Sequence, residues 1–431
     1  MLRRTPEGAP TLAEAIEAPV PPREALAQQW RRVRQLSRTL TEGLTAEDQA
    51  LQSMPDASPS KWQLGHTTWF FETLVLCPHL SGYRVHDERY ARLFNSYYES
   101  LGPRHPRPQR GCLSRPTLDE VWAYRRHVDD AVERLIAHGS EAAWQAAAPV
   151  LELGLHHEQQ HQELMLTDLL HLFSLNPLAP AWRTAAPAAA APAAPLRWHG
   201  IDAGLVELGH GGRGFAFDNE CPRHRVFLPP FELADRLVSN AEYQAFIDDG
   251  GYREPRWWLS DGWATVQAQG WRAPPYWREP GLQFTLHGLQ PIDPAAPVAH
   301  LSGYEAAAYA AWAGARLPTE FEWEAAAQVL GDDAQATRYQ LDHMLPAQPP
   351  PGRLGGEAWQ WTASAYAPYP GFQPLPGPAA EYNGKFMINQ LVLRGGSCAT
   401  PPGHARRTYR NFFPPAARWQ FSGLRLAREA R

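Results

Sequence analysis

Between residues 23 and about 44, apolar Leu26, Trp30, Val33 and Leu36 recur three or four residues apart among Arg and Gln. That is the period of an amphipathic helix with one face turned to a core. A second helix is predicted through Trp62, Leu64, His66, Trp69, Phe70 and Leu74, with Ser58 as its cap, Pro59 at its first position and an end near Pro78. Thr117 with Glu120 forms a capping box that opens a third helix. Its apolar face is Leu118, Val121, Trp122, Val128, Val132 and Leu135, and it closes at Gly139. Ser140 caps a further helical stretch that Pro149 is expected to interrupt, after which a fourth helix runs to Leu175. Residues 83–112 carry aromatic clusters, Gly102-Pro103, Pro106 and Pro108, and so read as an irregular connection. Four helices and one long loop predict an all-α four-helix bundle over 23–175.

The pattern changes after Asn176. Residues 176–197 are rich in Ala and Pro, cannot bury a core and read as a linker. Beyond it, short apolar runs such as Arg225–Leu228 and Leu391–Arg394 sit between turn signals, and 11 of the 17 Trp fall there, which points to aromatic packing rather than helical periodicity. Helices are predicted behind Ser239 (241–247), behind Ser302 (304–314), and from Thr319-Glu320 through Trp323 and Ala327. Residues 198–431 are therefore expected to form a loop-rich α+β domain. A length of 431 residues agrees with more than one domain.

Composition narrows the function. A formal charge of −5 supplies no basic surface for nucleic acid. Residues 1–22 form a tail without the apolar core of a signal peptide, and no uncharged apolar run is long enough to cross a bilayer, so no membrane partner is expected. Cys77, Cys112, Cys221 and Cys398 are scattered, which suits reduced thiols in a cytoplasmic protein. The number of subunits is not encoded in any of these features.

The candidate chemistry lies in the fourth helix. His157-Glu158-Gln159-Gln160-His161 places two imidazoles one turn apart on one face, able to hold one metal ion. Formally this is the zinc-protease signature, with the glutamate as general base. A third protease ligand is missing: the position six residues after His161 is Thr167, and no Asp or Glu follows Asp168 until Asp202. His171 stands ten residues along the helix from His161, about 15 Å of rise and too far to share the ion. His66, on a facing helix of the same bundle, is the leading third ligand. Three imidazoles leave coordination positions open and suit Fe(II) as well as zinc. In the 83–112 connection, Tyr97 and Tyr98 are candidates to supply a proton or an electron, and Arg107 and Arg110 to clamp a carboxylate. A zinc hydrolase and a non-catalytic binding module are the alternatives.

Several longer motifs carry a resemblance. They are Gln52 to His66 (ending Lys61-Trp-Gln-Leu-Gly-His66), Phe94-Asn-Ser-Tyr-Tyr98, Arg104 to Arg110 and His156 to His161 in the first half. In the second half they are Ala315 to Glu324, Trp359-Gln-Trp-Thr362, Val392 to Ser397 and Arg418 to Gly423. The bundle resembles the DinB-like domain. The C-terminal half resembles the formylglycine-generating-enzyme type, a C-type-lectin-like fold, and the fusion resembles the ergothioneine sulfoxide synthases, also called hercynine oxygenases. The resemblance implies Fe(II) held by His66, His157 and His161, and O2 as co-substrate. It implies a bond formed between a thiol sulfur (of cysteine or γ-glutamylcysteine) and imidazole C2 of hercynine, the sulfur becoming a sulfoxide. It makes Tyr97 and Tyr98 the tyrosine pair of one branch, where a tyrosine donates a proton. It makes Gln160 a contact of the hercynine imidazole, and Asn411 and Phe412 part of the wall of the betaine pocket. Another branch reads Asn-Trp-Asp where this chain reads Asn411-Phe-Phe413, which leaves Arg107 and Arg110 as the thiol's carboxylate contacts. Sister enzymes that act on histidine (ovothiol-type) or install selenium are the near alternatives. Formylglycine-generating enzymes use a cysteine pair for copper, which Cys398 alone does not reproduce. The pocket is expected between the two domains.

Overall fold

The computed structural model describes residues 22–184, 194–202, 204–212, 214–278, 280–332, 334, 339–350 and 352–430. The expected tail, apart from Pro22, and the 185–193 stretch of the expected linker lie outside the described residues. The chain divides into two compact units. One holds the described part of Met1–Leu172 with Gly211–Asn219 and Phe372–Lys385; the other holds the described parts of Phe173–His210, Glu220–Gly371 and Phe386–Arg431.

The first unit is built on helices α1 (Arg23–Thr41), α2 (Ser60–Phe71), α3 (Leu118–His138) and α4 (Glu141–Ser174). The capping box of α3 forms as its sequence predicts, with the Thr117 side chain accepting from the Glu120 N–H. Two expectations fail. Ser58 does not cap α2: its N–H donates to Asp168 and its hydroxyl accepts from Arg110, so Pro59 stands at the cap. Nor does Pro149 interrupt the last helix, since α4 runs through it unbroken. A proline there removes one backbone bond, but Ala147, Ala148, Val150 and Leu151 are all buried and their packing keeps the two halves in line. The second helix ends at His79, beside Pro78 as expected, after a π-helical turn at Glu72–Leu76 and a short segment Cys77–His79, with the proline in a first turn where its missing N–H costs nothing.

Arg34 ties the bundle together. From α1 it donates to Asp129 on α3, Glu158 on α4 and Thr68 on α2. The closeness of α2 and α4 depends on Gly154, where a Cβ would lie 2.4 Å from the Phe71 ring.

The second unit mixes strands and short helices. Strands β1 (Trp198–Ile201), β4 (Phe231–Ala234) and β12 (Ala427–Glu429) form one sheet, in the order β1-β4-β12. Strands β8 (Trp359–Ala365), β9 (Leu391–Arg394), β10 (Asn411–Phe413) and β11 (Ser422–Gly423) form another, ordered β10-β9-β8-β11, with only the β8–β11 pair parallel. Strands β2 (Gly204–Leu208) and β3 (His224–Leu228) pair antiparallel, as do β5 (Trp277–Arg278), β6 (Leu282–Thr285) and β7 (Gly288–Pro291) in sequence. Helices α5 (Asn240–Asp248), α7 (Gly303–Trp312) and α8 (Glu320–Leu330) start at the predicted Ser239, Ser302 and Thr319 caps; α6 (Ser260–Gln269), with no side-chain cap, was not anticipated.

The motifs of this half are its core. Trp323 is fully buried and donates to Gln360, which also accepts from Arg425. Arg394 pairs with Glu320 and Glu324, and Arg410 with Glu320, all of them buried. Such pairs fix one geometry because a lone charge there would be costly.

Candidate metal centre

Helix α2 supplies His66, and α4 supplies His157 and His161. Their ligating nitrogens lie within 4.8 Å of one another, with His66 and His157 buried and His161 half-buried. The ring centroids are 4.8–4.9 Å apart in all three pairs, with the planes steeply inclined. Burial lowers the pKa of each: well below the ordinary value for His66 and His161, to about 3 for His157. The rings are therefore neutral at physiological pH, as metal ligands must be.

His66 is aimed by its surroundings. Its Nδ1 donates to the Phe94 carbonyl at 2.6 Å, leaving the Nε2 lone pair directed at His157 Nε2, 3.1 Å away. A second imidazole nitrogen that close to the lone pair leaves room for a cation shared between them, and this donor set fits a metal ion. The carbonyl reaches His66 because Gly65 has no side chain: a Cβ there would lie 2.2 Å from the Phe94 ring. Trp62 stacks on the other face of the site, 4.8 Å from His66 and nearly parallel.

Glu158 is no general base here. Both its oxygens are consumed: one by Arg34 at 2.7 Å, the other by Ser37 at 2.5 Å and Arg125 at 2.8 Å. Burial alone would raise its pKa, but the two guanidiniums overcome that and hold it at about 2. It is a structural anion in the bundle core.

Tyr98 is fully buried against Trp69 and Phe70, and Phe70 in turn lies 4.8 Å from the His157 ring. Tyr97 stacks on Tyr98 at 4.7 Å. Burial raises both phenols' pKa values, so both are protonated at neutral pH. Arg110 is buried with its guanidinium 3.3 Å over the Trp62 ring, donating only to the hydroxyls of Ser58 and Ser96. Among the described residues no carboxylate salt-bridges it, and burial together with Arg107 lowers its pKa to about 8. Arg107 is exposed and donates to the Asp56 carbonyl. Asn411 and Phe412 belong to the second unit, where Phe412 stacks on Tyr366 at 4.1 Å.

Sequence reasoning missed Tyr382. It lies in Phe372–Lys385, a segment of the C-terminal half that belongs to the first unit. Its hydroxyl donates to the Gln160 side-chain oxygen, and its ring is 5.6 Å from His157 and 5.4 Å from Phe217, stacked on the latter. Glu381 and Lys385 fasten this segment: the carboxylate accepts the N–H groups of Glu99 and Ser100, and the ammonium donates to the Tyr97 carbonyl. A Pro/Gly-rich loop some 220 residues from Gln160 carries no local signal of this. Gln63 and Asp168 were missed too, although Asp168 lies seven residues after His161 and so on the same helix face.

A helical bundle that gathers three neutral imidazoles, continued in one chain by an α+β unit with a buried ionic core, defines a two-part protein with a candidate metal centre. The DinB superfamily pattern matches residues 29–165, and the sulfatase-modifying factor enzyme 1-like domain matches residues 197–350 and 353–430. The chain is 33% identical to a hercynine oxygenase of Mycolicibacterium thermoresistibile over 95% of both chains. It is 37% identical to that of Mycolicibacterium smegmatis, over 64% of this chain and 70% of the other. A formylglycine-generating enzyme of Streptomyces coelicolor is 32% identical over 33% of this chain and 52% of its own. The chain belongs to the hercynine oxygenase family and is an oxygenase. Among the described residues no helix is long and apolar enough to cross a membrane.

Proposed function

We propose that the chain is a non-haem Fe(II) sulfoxide synthase of ergothioneine biosynthesis, acting in the cytoplasm on hercynine and a cysteine-type thiol. The observation that carries the reading is the convergence of His66, His157 and His161, neutral and inward, in a member of this family. The reaction balances as thiol R–SH plus imidazole C2–H plus O2, giving the C2 sulfoxide R–S(=O)–C2 and water. Oxygen is the four-electron oxidant, with one atom kept by sulfur and one lost to water. Fe(II), when held by His66, His157 and His161, would supply the redox chemistry with O2, and gathering thiol and imidazole at one centre would remove the entropic cost of their encounter.

The chain's own residues do the rest. Gln160, oriented by Tyr382, contacts the hercynine imidazole. The trimethylammonium group is attracted to aromatic faces, and the stacked Tyr382 and Phe217 offer them. Arg110, buried and bonded to the hydroxyls of Ser58 and Ser96, takes the thiol donor's carboxylate, with Arg107 nearby to share it. Tyr97 and Tyr98, held protonated by burial, supply a proton toward the departing oxygen.

The test is metal analysis of the purified protein, followed by assays with and without oxygen. Hercynine or histidine is offered with cysteine, γ-glutamylcysteine or a selenium donor, and the product is weighed by mass spectrometry. Iron, strict oxygen dependence and a hercynine-derived sulfoxide are expected. An active His157→Ala variant, or turnover under nitrogen, refutes the proposal.

A further inference from the structure

Two of the three histidines have a hydrogen-bonded partner behind them, and the one behind His161 is a chain of groups. His161 Nδ1 lies 3.2 Å from Gln63 Oε1. The Gln63 amide nitrogen lies 3.0 Å from Asp168 Oδ2 and 3.1 Å from the Ser58 carbonyl. Both of those groups accept and cannot donate, so the amide must turn its nitrogen to them and its oxygen to His161. An amide oxygen also only accepts. The imidazole proton of His161 therefore sits on Nδ1, and Nε2 offers its lone pair to the cluster. Asp168 cannot swing away, because the same oxygen accepts the Ser58 N–H at 2.9 Å. Gln63 and Asp168 are buried, at 1% and 7% exposure, so water does not compete for these bonds.

The geometry points to Gln63 and Asp168 as positioning residues of the metal centre, an Asp168–Gln63–His161 relay that fixes the ring and tautomer of His161 and strengthens it as a ligand. A carboxylate behind a metal-bound imidazole ordinarily does this directly; here an amide is interposed and passes the polarisation on. The relay spans both ligand helices, with Gln63 three residues before His66 on α2 and Asp168 seven after His161 on α4. It thus also ties the separation of the ligands to one hydrogen-bonded chain. The inference rests on the reading of the three histidines as a metal site.

The probe is Co(II), titrated anaerobically into the apo protein and followed by the visible absorption of the bound ion. Gln63→Leu, which keeps the volume and removes the relay, is expected to weaken binding about 10- to 100-fold. Asp168→Asn, which keeps an acceptor and removes the charge, should weaken it less. Gln162→Leu is the control: this buried glutamine bonds Val33 and Ser37, off the relay, and its loss should leave the affinity within about twofold of the parent. Nitrogen-15 shifts of His161 in the apo protein should report the Nδ1–H tautomer in the parent and a mixture in Gln63→Leu. Parent-like affinity of Gln63→Leu, an equal loss in Gln162→Leu, or an Nε2–H tautomer in the parent overturns the relay. A parent that binds no Co(II), or a His161→Ala variant that binds it equally well, overturns the metal reading instead, and the tautomer measurement still judges the relay.

Discussion

Replacing Glu158 by Gln separates the two readings of the His157–His161 pentapeptide. In a zinc hydrolase the glutamate would be the base, and its loss would spare the fold and abolish turnover. Here the side chain is fully buried between two guanidiniums and a hydroxyl. After substitution Arg34 keeps Asp129, at 2.6 Å. Arg125 keeps only neutral acceptors, the Leu64 carbonyl and the hydroxyls of Thr67 and Thr68, so its charge is left buried and unpaired. Removing one partner of a buried pair costs about 3–5 kcal/mol. The glutamine oxygen still accepts one bond, which places the expected loss near about 3 kcal/mol. Denaturant unfolding of the apo protein, with hydrogen exchange of α4 as a local probe, measures it. A double variant Glu158→Gln, Arg125→Met should regain part of the loss, because the stranded charge goes with the arginine. The reasoning is refuted if Glu158→Gln unfolds within about 1 kcal/mol of the parent, or if the double variant is additive.

Gly65→Ala would drive a Cβ into the Phe94 ring; a destabilisation of about 1–3 kcal/mol is expected together with weaker metal binding, since the Phe94 carbonyl orients His66, and calorimetry with a metal titration tests both. Tyr382→Phe removes the hydroxyl that orients Gln160 and should raise KM for hercynine about 3- to 10-fold with the fold intact, an unchanged KM counting against that role. His300, in the second unit, is held near a pKa of about 4 by burial, below the ordinary histidine value. Between that value and about 6.5 the unfolded chain binds the extra proton, so stability falls as pH drops through this window, by on the order of 3 kcal/mol once below it. His300→Asn, which tolerates the φ of 63° found there, should flatten that slope in denaturation curves taken from pH 7 to 4.

Much of the bundle could be read from the chain, because helical spacing and caps are local. The Thr117–Glu120 box, the paired histidines and the Ser239, Ser302 and Thr319 caps each depend on residues three or four apart. Pro149 and Ser58 misled for the same reason: propensity is a local preference, and buried packing overrode it in one case while long-range bonds to Asp168 and Arg110 overrode it in the other.

By itself, the sequence determined two architectures, a pair of histidines one turn apart and the helix that presents it. Tertiary structure alone decided what those residues do. Glu158 became a core anion because Arg34 and Arg125 arrive from other helices. Gln63 and Asp168 meet behind His161, and Tyr382 reaches Gln160 from a loop far along the chain. Spacing encodes which side chains share a face. Which distant groups meet them, and so which proton, charge or lone pair each carries, is settled only when the elements pack and water is excluded.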